Sequence, residues 1–299
     1  MKVMAVVPTC RGFKVPEQSI PVEWVVVHDR QRWPVDGDAT HIIAPDPTLY
    51  GSRCSCIRSA GFGHAYHAGA THILTCDDDV LLTVNWAHDH VLALNGSYHP
   101  WSPTVDGTVP MRGFPIAAPH LPIAISHGLW SNVPDLAAID QKALPTLRLH
   151  LPSAWRRIHP PFALSSMNFG FRREVTPVMY QPAMGDGHPF KRHDDIWLGV
   201  IAQRVLMLHG YSFANGGAVV WHTRASNVDA NLVAEAAGTV EHEHFWRWVW
   251  EFDDKQDDLA TTYRWMAAHI RDYQPHDAAH AAYFQFLSAN MRRWLEALQ

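Results

Sequence analysis

The segment His72-Ile-Leu-Thr-Cys-Asp-Asp-Asp79 places three consecutive carboxylates directly after a short apolar run. Apolar runs of about four to eight residues that alternate with helical patterns are typical of strands in a parallel α/β sheet. Small and apolar residues recur at roughly helical spacing over residues 55–70, just before this run. Three further apolar runs lie nearer the N-terminus, and each predicts a strand: Val3–Val7, Glu23–His28 and His41–Ala44. We therefore predict an α/β fold whose N-terminal half is a parallel sheet with helical crossovers.

The composition indicates a folded chain with a sizeable core. Of 299 residues, 47% are hydrophobic and 18% are charged, which argues against global disorder. The net charge of −5 disfavours a general nucleic-acid coat protein, although an enzyme that touches nucleic acid locally is not excluded. No stretch approaches about 18 uninterrupted apolar residues, so we expect no membrane span. The first residues lack a signal-peptide pattern, and we expect a cytoplasmic protein.

The four cysteines do not have the spacing of a zinc or redox motif. Cys54-Ser-Cys56 is a C-x-C pair, and no second pair follows it. We therefore expect Cys10, Cys54, Cys56 and Cys76 to be free thiols, as is usual in a reducing cytoplasm.

The pattern changes twice along the chain. Residues 1–98 carry the alternation of strands and helices and are expected to form a nucleotide-binding half. Pro and Gly recur at short intervals after residue 99, so residues 99–235 predict a loop-rich, acceptor-side half with short strands. Within it, Asp194–His209 has helical spacing and Ala218–Trp221 predicts a last strand. Residues 236–299 predict a helical C-terminal extension, in which Pro275 separates two helical segments.

The carboxylate triplet is a candidate metal site. Adjacent like charges repel one another, and a bound cation removes that penalty. Carboxylate oxygens select Mg²⁺ or Mn²⁺, which also bind phosphate oxygens, so Asp77 and Asp79 could hold the metal of a nucleotide diphosphate. His222, at the end of the last predicted strand, could complete the metal sphere, although a lone histidine is more often structural. The alternative for the triplet is a solvated acidic turn.

Ligands of open α/β sheets bind outside the carboxyl ends of the strands. Pro8 and Thr9 end the first strand, and Asp29 ends the second, where it could bind a ribose or a base edge. Arg11 and Arg58 could bind phosphate or a base carbonyl. The alternatives are a turn residue for Asp29 and ordinary surface arginines.

A glycine-rich loop leads into a helix that begins with two carboxylates. The loop contains Gly185-Asp186-Gly187, and the helix begins at Asp194-Asp195. One carboxylate could act as a general base or bind a sugar hydroxyl, and the alternative is that the pair only caps the helix.

The sequence resembles the reversibly glycosylated polypeptides of plants, the UDP-arabinopyranose mutase family. The resemblance covers roughly residues 3–235 and does not include the C-terminal helical part. It rests on segments that follow one another in order: Val6–Thr9, Asp77–Asp79, Arg112–Pro115, Ser126–Asp135, Met167–Glu174, Met184–Pro189, His193–Trp197 and Trp221–Asn227.

This resemblance implies a GT-A-like, Rossmann-like glycosyltransferase fold, a UDP-sugar donor and Mn²⁺ or Mg²⁺ at the Asp triplet. It also leads us to expect contacts to the nucleotide sugar from Asp77, Asp78, Gly185, Asp186, Gly187 and Arg224. Members of the family interconvert the pyranose and furanose forms of UDP-arabinose and attach a sugar to one of their own arginines. That position falls on Val105 here, and no arginine lies between Arg58 and Arg112. Arg112 matches a family arginine and is a candidate catalytic residue for holding a phosphate or sugar hydroxyl.

Three functions remain open from the sequence. The first is a metal-dependent glycosyltransferase that uses a UDP-sugar, with Asp194 or Asp195 activating the acceptor hydroxyl. The second is a UDP-sugar mutase, which Val105 disfavours, and the third is an inactive nucleotide-sugar-binding partner subunit. The acceptor is a glycan, a small molecule or a modified nucleic-acid base. The last is suggested by two locally basic stretches, residues 148–159 and His188–His193, whose alternative is that both are solvated loops. By analogy with plant relatives we expect a homo-oligomer.

Overall fold

The computed structural model describes residues 1–102, 109–150, 154–223 and 227–299, and these ranges contain twelve strands and eight α-helices. The strands are β1 (Val3–Thr9), β2 (Phe13–Lys14), β3 (Glu23–His28), β4 (Val35–Asp36), β5 (Thr40–Ile43), β6 (His72–Cys76), β7 (Val80–Leu81), β8 (Ser97–Tyr98), β9 (Leu121–Asn132), β10 (Arg156–Ile158), β11 (Asn168–Arg172) and β12 (Ser212–His222). The helices are α1 (Pro47–Tyr50), α2 (Arg58–His67), α3 (Trp86–Leu94), α4 (Ala138–Ala143), α5 (Asp194–Leu208), α6 (Val228–Glu251), α7 (Leu259–Arg271) and α8 (Ala281–Ala297).

The main sheet follows the path β10-β12-β9-β11-β6-β1-β3-β5. Strands β5, β3, β1 and β6 are parallel to one another. Strand β11 is antiparallel to both β6 and β9, and β12 pairs in parallel with β9. A parallel half is joined to a mixed half through one antiparallel strand, so the predicted α/β fold class is confirmed.

The central strands are covered on both faces. Every residue of β1 and of β6 is buried, as expected for parallel strands that lie between two layers of helices. Polar residues lie directly after the parallel strands: Asp29 follows β3, and Asp77 follows β6. The carboxyl ends of neighbouring parallel strands therefore bring polar side chains to one edge of the sheet.

Helix α2 packs closely on this sheet, and Gly61 makes the approach possible. A Cβ at position 61 would lie 2.3 Å from Cγ1 of Val6 and 2.7 Å from Cγ2 of Val27. Any larger residue would push the helix away from β1 and β3. The helix begins at Arg58, and the close packing holds that residue beneath the acidic edge of the sheet.

The predicted strands of the first half are found with small changes of their ends, whereas β12 is longer than predicted. It begins at Ser212 and not at Ala218. Gly216 and Gly217 have positive φ angles, and the pairing of β12 with β9 shifts register between Asn215 and Val219. This bulge interrupts the apolar pattern, which concealed the first part of the strand from the sequence.

The C-terminal helices pack on the same core as α5. The rings of Trp197 and Phe245 lie 4.6 Å apart, and those of Trp197 and Phe284 lie 5.6 Å apart. Trp294 of α8 is fully buried, and its indole N–H donates to the carbonyl of Thr176 at 3.3 Å. The domain boundary that we expect at residues 235 and 236 falls within α6. No helix in the described ranges combines the length and apolar content needed to cross a membrane.

We expect Trp294→Ala to lower the free energy of unfolding by about 3–5 kcal/mol, because it leaves a large cavity between α8 and α2. Trp265→Ala is the matched control, since Trp265 lies on α7 with half of its surface exposed, and should change stability by at most about 0.5 kcal/mol. Urea unfolding followed by circular dichroism measures both. Equal losses for the two variants would contradict this description of the core.

Candidate active site

One cavity of about 890 Å³ opens at the carboxyl ends of β1, β3 and β6. It brings together residues that are far apart in the sequence and that come from both expected halves of the chain. The predicted site residues that line it are Pro8, Thr9, Arg11, Asp29, Asp77, Asp78, Asp79, Gly185, Asp194, Asp195 and His222.

The other predicted site residues lie elsewhere. Arg58 is buried beneath the cavity, and Arg112 is exposed on the segment between β8 and β9. Asp186 and Gly187 do not line the cavity, although Asp186 is ion-paired with two arginines near it. Arg224 lies outside the described residues, as does Val105. The expected contacts with substrate stay predictions for Arg58, Arg112, Asp186, Gly187 and Arg224. The assignment of the modification position to Val105 also stays a prediction.

The three aspartates of the triplet have different partners. Asp78 accepts a hydrogen bond from Thr9 Oγ1 at 2.8 Å, and its other oxygen lies 3.2 Å from Nε of Arg11. Nη1 of Arg11 lies 3.2 Å from Asp79. Burial raises the pKa of Asp78, and the Thr9 hydroxyl and Arg11 oppose that rise. Part of the positive charge that compensates the three carboxylates thus comes from the half-exposed side chain of Arg11.

Arg58 holds the first aspartate from below. Its Nη2 donates to Asp77 at 2.6 Å, and Nη1 donates to Thr75 Oγ1 at 2.8 Å and to the carbonyl of Ser166. Its Nε donates to the carbonyl of Ser55 at 3.2 Å. A fully buried guanidinium requires such partners, because an uncompensated buried charge is strongly destabilising. In this structure Arg58 positions Asp77, and its hydrogen bonds lie within the protein.

The hydrogen bond of His222 leaves one of its two ring nitrogens available to a metal. Its Nδ1 lies 2.9 Å from the carbonyl oxygen of Val133, so Nδ1 carries the proton and Nε2 is left with a free lone pair. With the carboxylates of Asp77 and Asp79, this donor set suits Mn²⁺ or Mg²⁺. The set is not preassembled, however. Within the described part of the chain, Asp77, Asp79 and His222 are not among the residues whose potential ligand atoms all lie within 4.8 Å of one another.

Asp29 organises the rim of the cavity. Its carboxylate accepts hydrogen bonds from the backbone N–H of Arg53 at 2.7 Å and from Ser52 Oγ at 3.4 Å. Ser52 in turn forms a β-bridge with Gly185. Three loops that are distant in sequence therefore meet here, and both carboxylate oxygens of Asp29 accept hydrogen bonds from the loop that contains Ser52 and Arg53.

Asp194 and Asp195 begin α5, but the N-cap position belongs to His193. Asp194 accepts hydrogen bonds from Ser55 Oγ at 2.8 Å and from Gln181 Nε2 at 2.6 Å. Asp195 accepts from the backbone N–H of Ser166 at 2.8 Å. Burial and the neighbouring Asp194 carboxylate raise the pKa of Asp195 to about 7. A carboxyl group in this range can take up or release a proton near neutral pH.

Sequence reasoning missed two acidic residues of the cavity. Asp135 accepts a hydrogen bond from Ser165 Oγ at 2.5 Å, and burial raises its pKa. Glu235 of α6 pairs with Nε of Arg192 at 2.8 Å. Asp135 follows a proline after β9, so its place at a strand end was a usable signal. Glu235 lies in a helical pattern that gave none.

The expectation of four free thiols is wrong for two of them. Cys54 and Cys56 form a disulfide on the cavity wall, whereas Cys10 and Cys76 are free. The loop turns tightly at Gly51, where a Cβ would lie 2.5 Å from Sγ of Cys56 and 2.9 Å from Sγ of Cys54. This turn packs both sulfurs together, with a Cα–Cα distance of 5.3 Å that a disulfide can span.

Comparisons with known proteins agree with this architecture. The family model for "Reversibly glycosylated polypeptide" matches residues 72–299, which includes the C-terminal helices. Probable UDP-arabinopyranose mutase 1 of Pisum sativum is 30% identical over 224 residues, which cover 67% of this chain and 59% of that protein. Probable UDP-arabinopyranose mutase 4 of Arabidopsis thaliana is 34% identical over 190 residues, which cover 56% and 51%. The chain therefore spans about half to three fifths of the length of these relatives.

One solved structure is similar at a greater distance. The crystal structure of S. aureus TarS 1-349 has a TM-score of 0.38 and 12% sequence identity to this chain. The match covers 97% of this chain and 71% of that one. A TM-score of 0.38 is too low to establish a shared fold.

The raised pKa of Asp195 predicts a pH-dependent stability. The folded chain keeps the Asp195 proton up to about pH 7, whereas an unfolded aspartate loses it near pH 4. The folded state binds more protons in this window, so this group's contribution to the free energy of unfolding falls as the pH rises from about 4 to 7. We expect the free energy of unfolding of the wild type, compared with that of Asp195→Asn, to fall by about 2 kcal/mol between pH 5 and pH 8.

Urea unfolding at a series of pH values measures this difference. Asp229→Asn is the control, because the side chain of Asp229 is 81% exposed and its contact with Lys142 lies at the surface. The control should follow the wild type at each pH. A constant difference between wild type and Asp195→Asn would contradict the raised pKa.

Proposed function

The chain belongs to the reversibly glycosylated polypeptide family, and from that premise we propose that it is an enzyme that transfers the sugar of a UDP-sugar to an acceptor hydroxyl. The observation that supports this most directly is the joint occurrence of two kinds of acidic group in one cavity. The triplet Asp77–Asp79 lies at the strand ends, and Asp194 and Asp195 line the same cavity from α5. The first group suits a diphosphate with its cation, and the second suits a reacting hydroxyl.

The nucleotide would bind along the ends of β1 and β3. Thr9 already donates to Asp78, so the backbone there is fixed before the ligand arrives. Asp29 lies on the neighbouring strand end, where its carboxylate could accept a hydrogen bond from the ribose or the base. A rigid edge of this kind lowers the entropy that binding costs.

The metal would be held by Asp77, Asp79 and the free Nε2 of His222. When bound, such an ion offsets the negative charge that develops on the leaving diphosphate. Arg11 occupies Asp79 in this structure, so it would have to release that carboxylate. Once released, its guanidinium would be free to donate charge-assisted hydrogen bonds to phosphate oxygens.

We assign proton transfer to Asp195. Oδ2 of Asp194 is engaged by Ser55 and Gln181, which hold that carboxylate in place. Asp195 has the raised pKa of about 7. Near neutral pH it can therefore accept the proton of an attacking hydroxyl group, with Asp194 keeping its pKa high.

The second candidate is a UDP-sugar mutase, which the names of the relatives favour. A mutase needs no external acceptor, and the donor end of the cavity would serve it equally well. The absence of an arginine between Arg58 and Arg112 in the sequence counts against a mechanism that uses a self-glycosylated arginine.

One incubation separates the two candidates. The purified chain is incubated with Mn²⁺ and a panel of UDP-sugars without an acceptor, and the nucleotides are resolved by chromatography. Slow release of free UDP without an isomer is the result that we expect from a transferase. A second UDP-sugar peak that equilibrates with the first would make the mutase the correct function, and no change in any UDP-sugar would contradict both.

The proposed metal site predicts the effect of one substitution. We expect Asp79→Asn to lower the rate of UDP release at least about 100-fold, because it removes a charged metal ligand. Chelation of divalent cations should stop the wild type, and excess Mn²⁺ should restore it. Asp253→Asn is the control, since Asp253 is exposed and does not line the cavity. Wild-type rates in Asp79→Asn would rule out the metal role.

A further inference from the structure

The segment that joins α1 to α2 carries the disulfide. It consists of residues 51–57, and we refer to it as the cysteine loop. Cys54 and Cys56 lie on either side of Ser55, so the disulfide closes a small ring that contains the backbone of Ser55. Cys54 is half-buried and lines the cavity, whereas Cys56 is fully buried. A reactant in the cavity therefore meets the disulfide from the Cys54 side.

The cysteine loop also holds two carboxylates of the cavity. The backbone N–H of Arg53 donates to Asp29 at 2.7 Å, and Ser55 Oγ donates to Asp194 at 2.8 Å. The carbonyl of Ser55 accepts from Nε of Arg58 at 3.2 Å. Because Ser55 is the residue that the disulfide ring encloses, the state of the disulfide is linked to the position of the Asp194 carboxylate.

Opening the disulfide changes the surroundings of Asp194 in two ways. It removes the ring that restricts the backbone of Ser55, so this residue has more conformations to lose when it donates to Asp194. It also produces two thiols, which are weak hydrogen-bond donors. The sulfurs of Cys54 and Cys56 and a carboxylate oxygen of Asp194 all lie within 4.8 Å of one another. The new donors would therefore compete with Ser55 for this carboxylate.

We propose that the pair Cys54 and Cys56 is a thiol–disulfide exchange site that reacts with small thiols such as glutathione and regulates the cavity. The form with the disulfide has the ordered cysteine loop, and reduction weakens the hold of this loop on Asp29 and Asp194. The exchange itself is independent of the reaction catalysed, whereas its effect on turnover rests on the proposed transferase function.

Reduction consumes two molecules of the small thiol. The first thiolate attacks the Cys54 sulfur, the bond to Cys56 breaks, and the Cys56 sulfur leaves with the electron pair and takes up a proton. An acceptor for the new thiol is in place, since Sγ of Cys56 lies 3.9 Å from the carbonyl oxygen of Met184. The second thiolate attacks the sulfur of the first, and Cys54 leaves as a thiolate that is then protonated. The two cysteines are thereby reduced, and the small thiol is oxidised to its disulfide.

The exchange is measured on the full chain in buffers with different ratios of reduced to oxidised glutathione. Free thiols are trapped with iodoacetamide in denaturant, and the chain is digested with trypsin. Cleavage after Arg53 and Arg58 releases Cys54–Arg58 as one peptide, which separates the pair from Cys10 and Cys76. We expect this peptide to carry two alkyl groups from the reducing buffer and none from the oxidising buffer, where it contains the disulfide.

The effect on the cavity is measured in the same buffers. Calorimetric titration in the presence of Mn²⁺ gives the Kd of UDP, and chromatography gives the rate of UDP release from a UDP-sugar. We expect the Kd to rise and the rate to fall about three- to tenfold on full reduction, which corresponds to the loss of about one hydrogen bond. Both changes should follow the fraction of the disulfide in the peptide measurement.

The double variant Cys54→Ala with Cys56→Ala is the matched control. It keeps the two free cysteines, Cys10 and Cys76, so a response that comes from them would persist in it. We expect its Kd for UDP to be the same in every buffer and close to that of the reduced wild type. A response equal to that of the wild type would overturn the proposal. If melting curves show that this variant does not fold, the peptide measurement on the wild type still decides.

The outcomes separate this proposal from the transferase. A Cys54–Arg58 peptide that carries two alkyl groups in every buffer overturns the exchange site, and a Kd for UDP that is the same with and without the disulfide overturns the regulation. Both results leave the transferase standing. A disulfide that controls the Kd for UDP in a chain that never releases UDP from a UDP-sugar supports the exchange site and overturns the transferase.

Discussion

The buried guanidinium of Arg58 is the interaction on which the rest of the site depends. It bonds at once to the end of β6 through Thr75 and Asp77, to the Ser166 carbonyl and to the Ser55 carbonyl. Ser166 and Ser55 hold Asp195 and Asp194 respectively. One buried cation therefore connects the acidic edge of the sheet to the carboxylates of α5. Because a buried charge without partners is so unfavourable, each of these groups is held where Arg58 requires it.

Charge balance links this arrangement to ligand binding. The Asp77–Asp79 triplet is compensated from below by Arg58 and from the solvent side by Arg11, which is half exposed and belongs to the loop after β1. Arg58 is fully buried and keeps its contact with Asp77, whereas Arg11 is half exposed and can exchange its partner. A bound diphosphate would give Arg11 a new anionic partner, and a bound divalent cation would give Asp79 a new cationic one. The structure thus separates a permanent counter-ion from an exchangeable one.

The C-terminal helices contribute to both stability and the cavity. The aromatic residues Trp197, Phe245, Phe284 and Trp294 join α5, α6 and α8 into the main core. The same helix α6 that carries Phe245 also carries Ala234, Glu235 and Thr239 of the cavity lining. This part of the cavity lining is therefore backed by the aromatic core, and packing of this kind holds side chains in defined positions.

The sequence by itself determined the parallel half of the fold and the residues at its strand ends. Apolar runs followed by Asp29 or by Asp77 have a local signature, and a parallel sheet brings such ends to one edge. The resemblance of ordered segments determined the family. Only the tertiary structure decided that Arg58 lies below the cavity and holds Asp77, and that Cys54 bonds to Cys56. It also decided that Asp135 and Glu235 line the same cavity as Asp195. These residues come from separate elements and are brought together only when the elements pack. Their burial determines their partners and pKa values, and it produces no periodic pattern in the sequence.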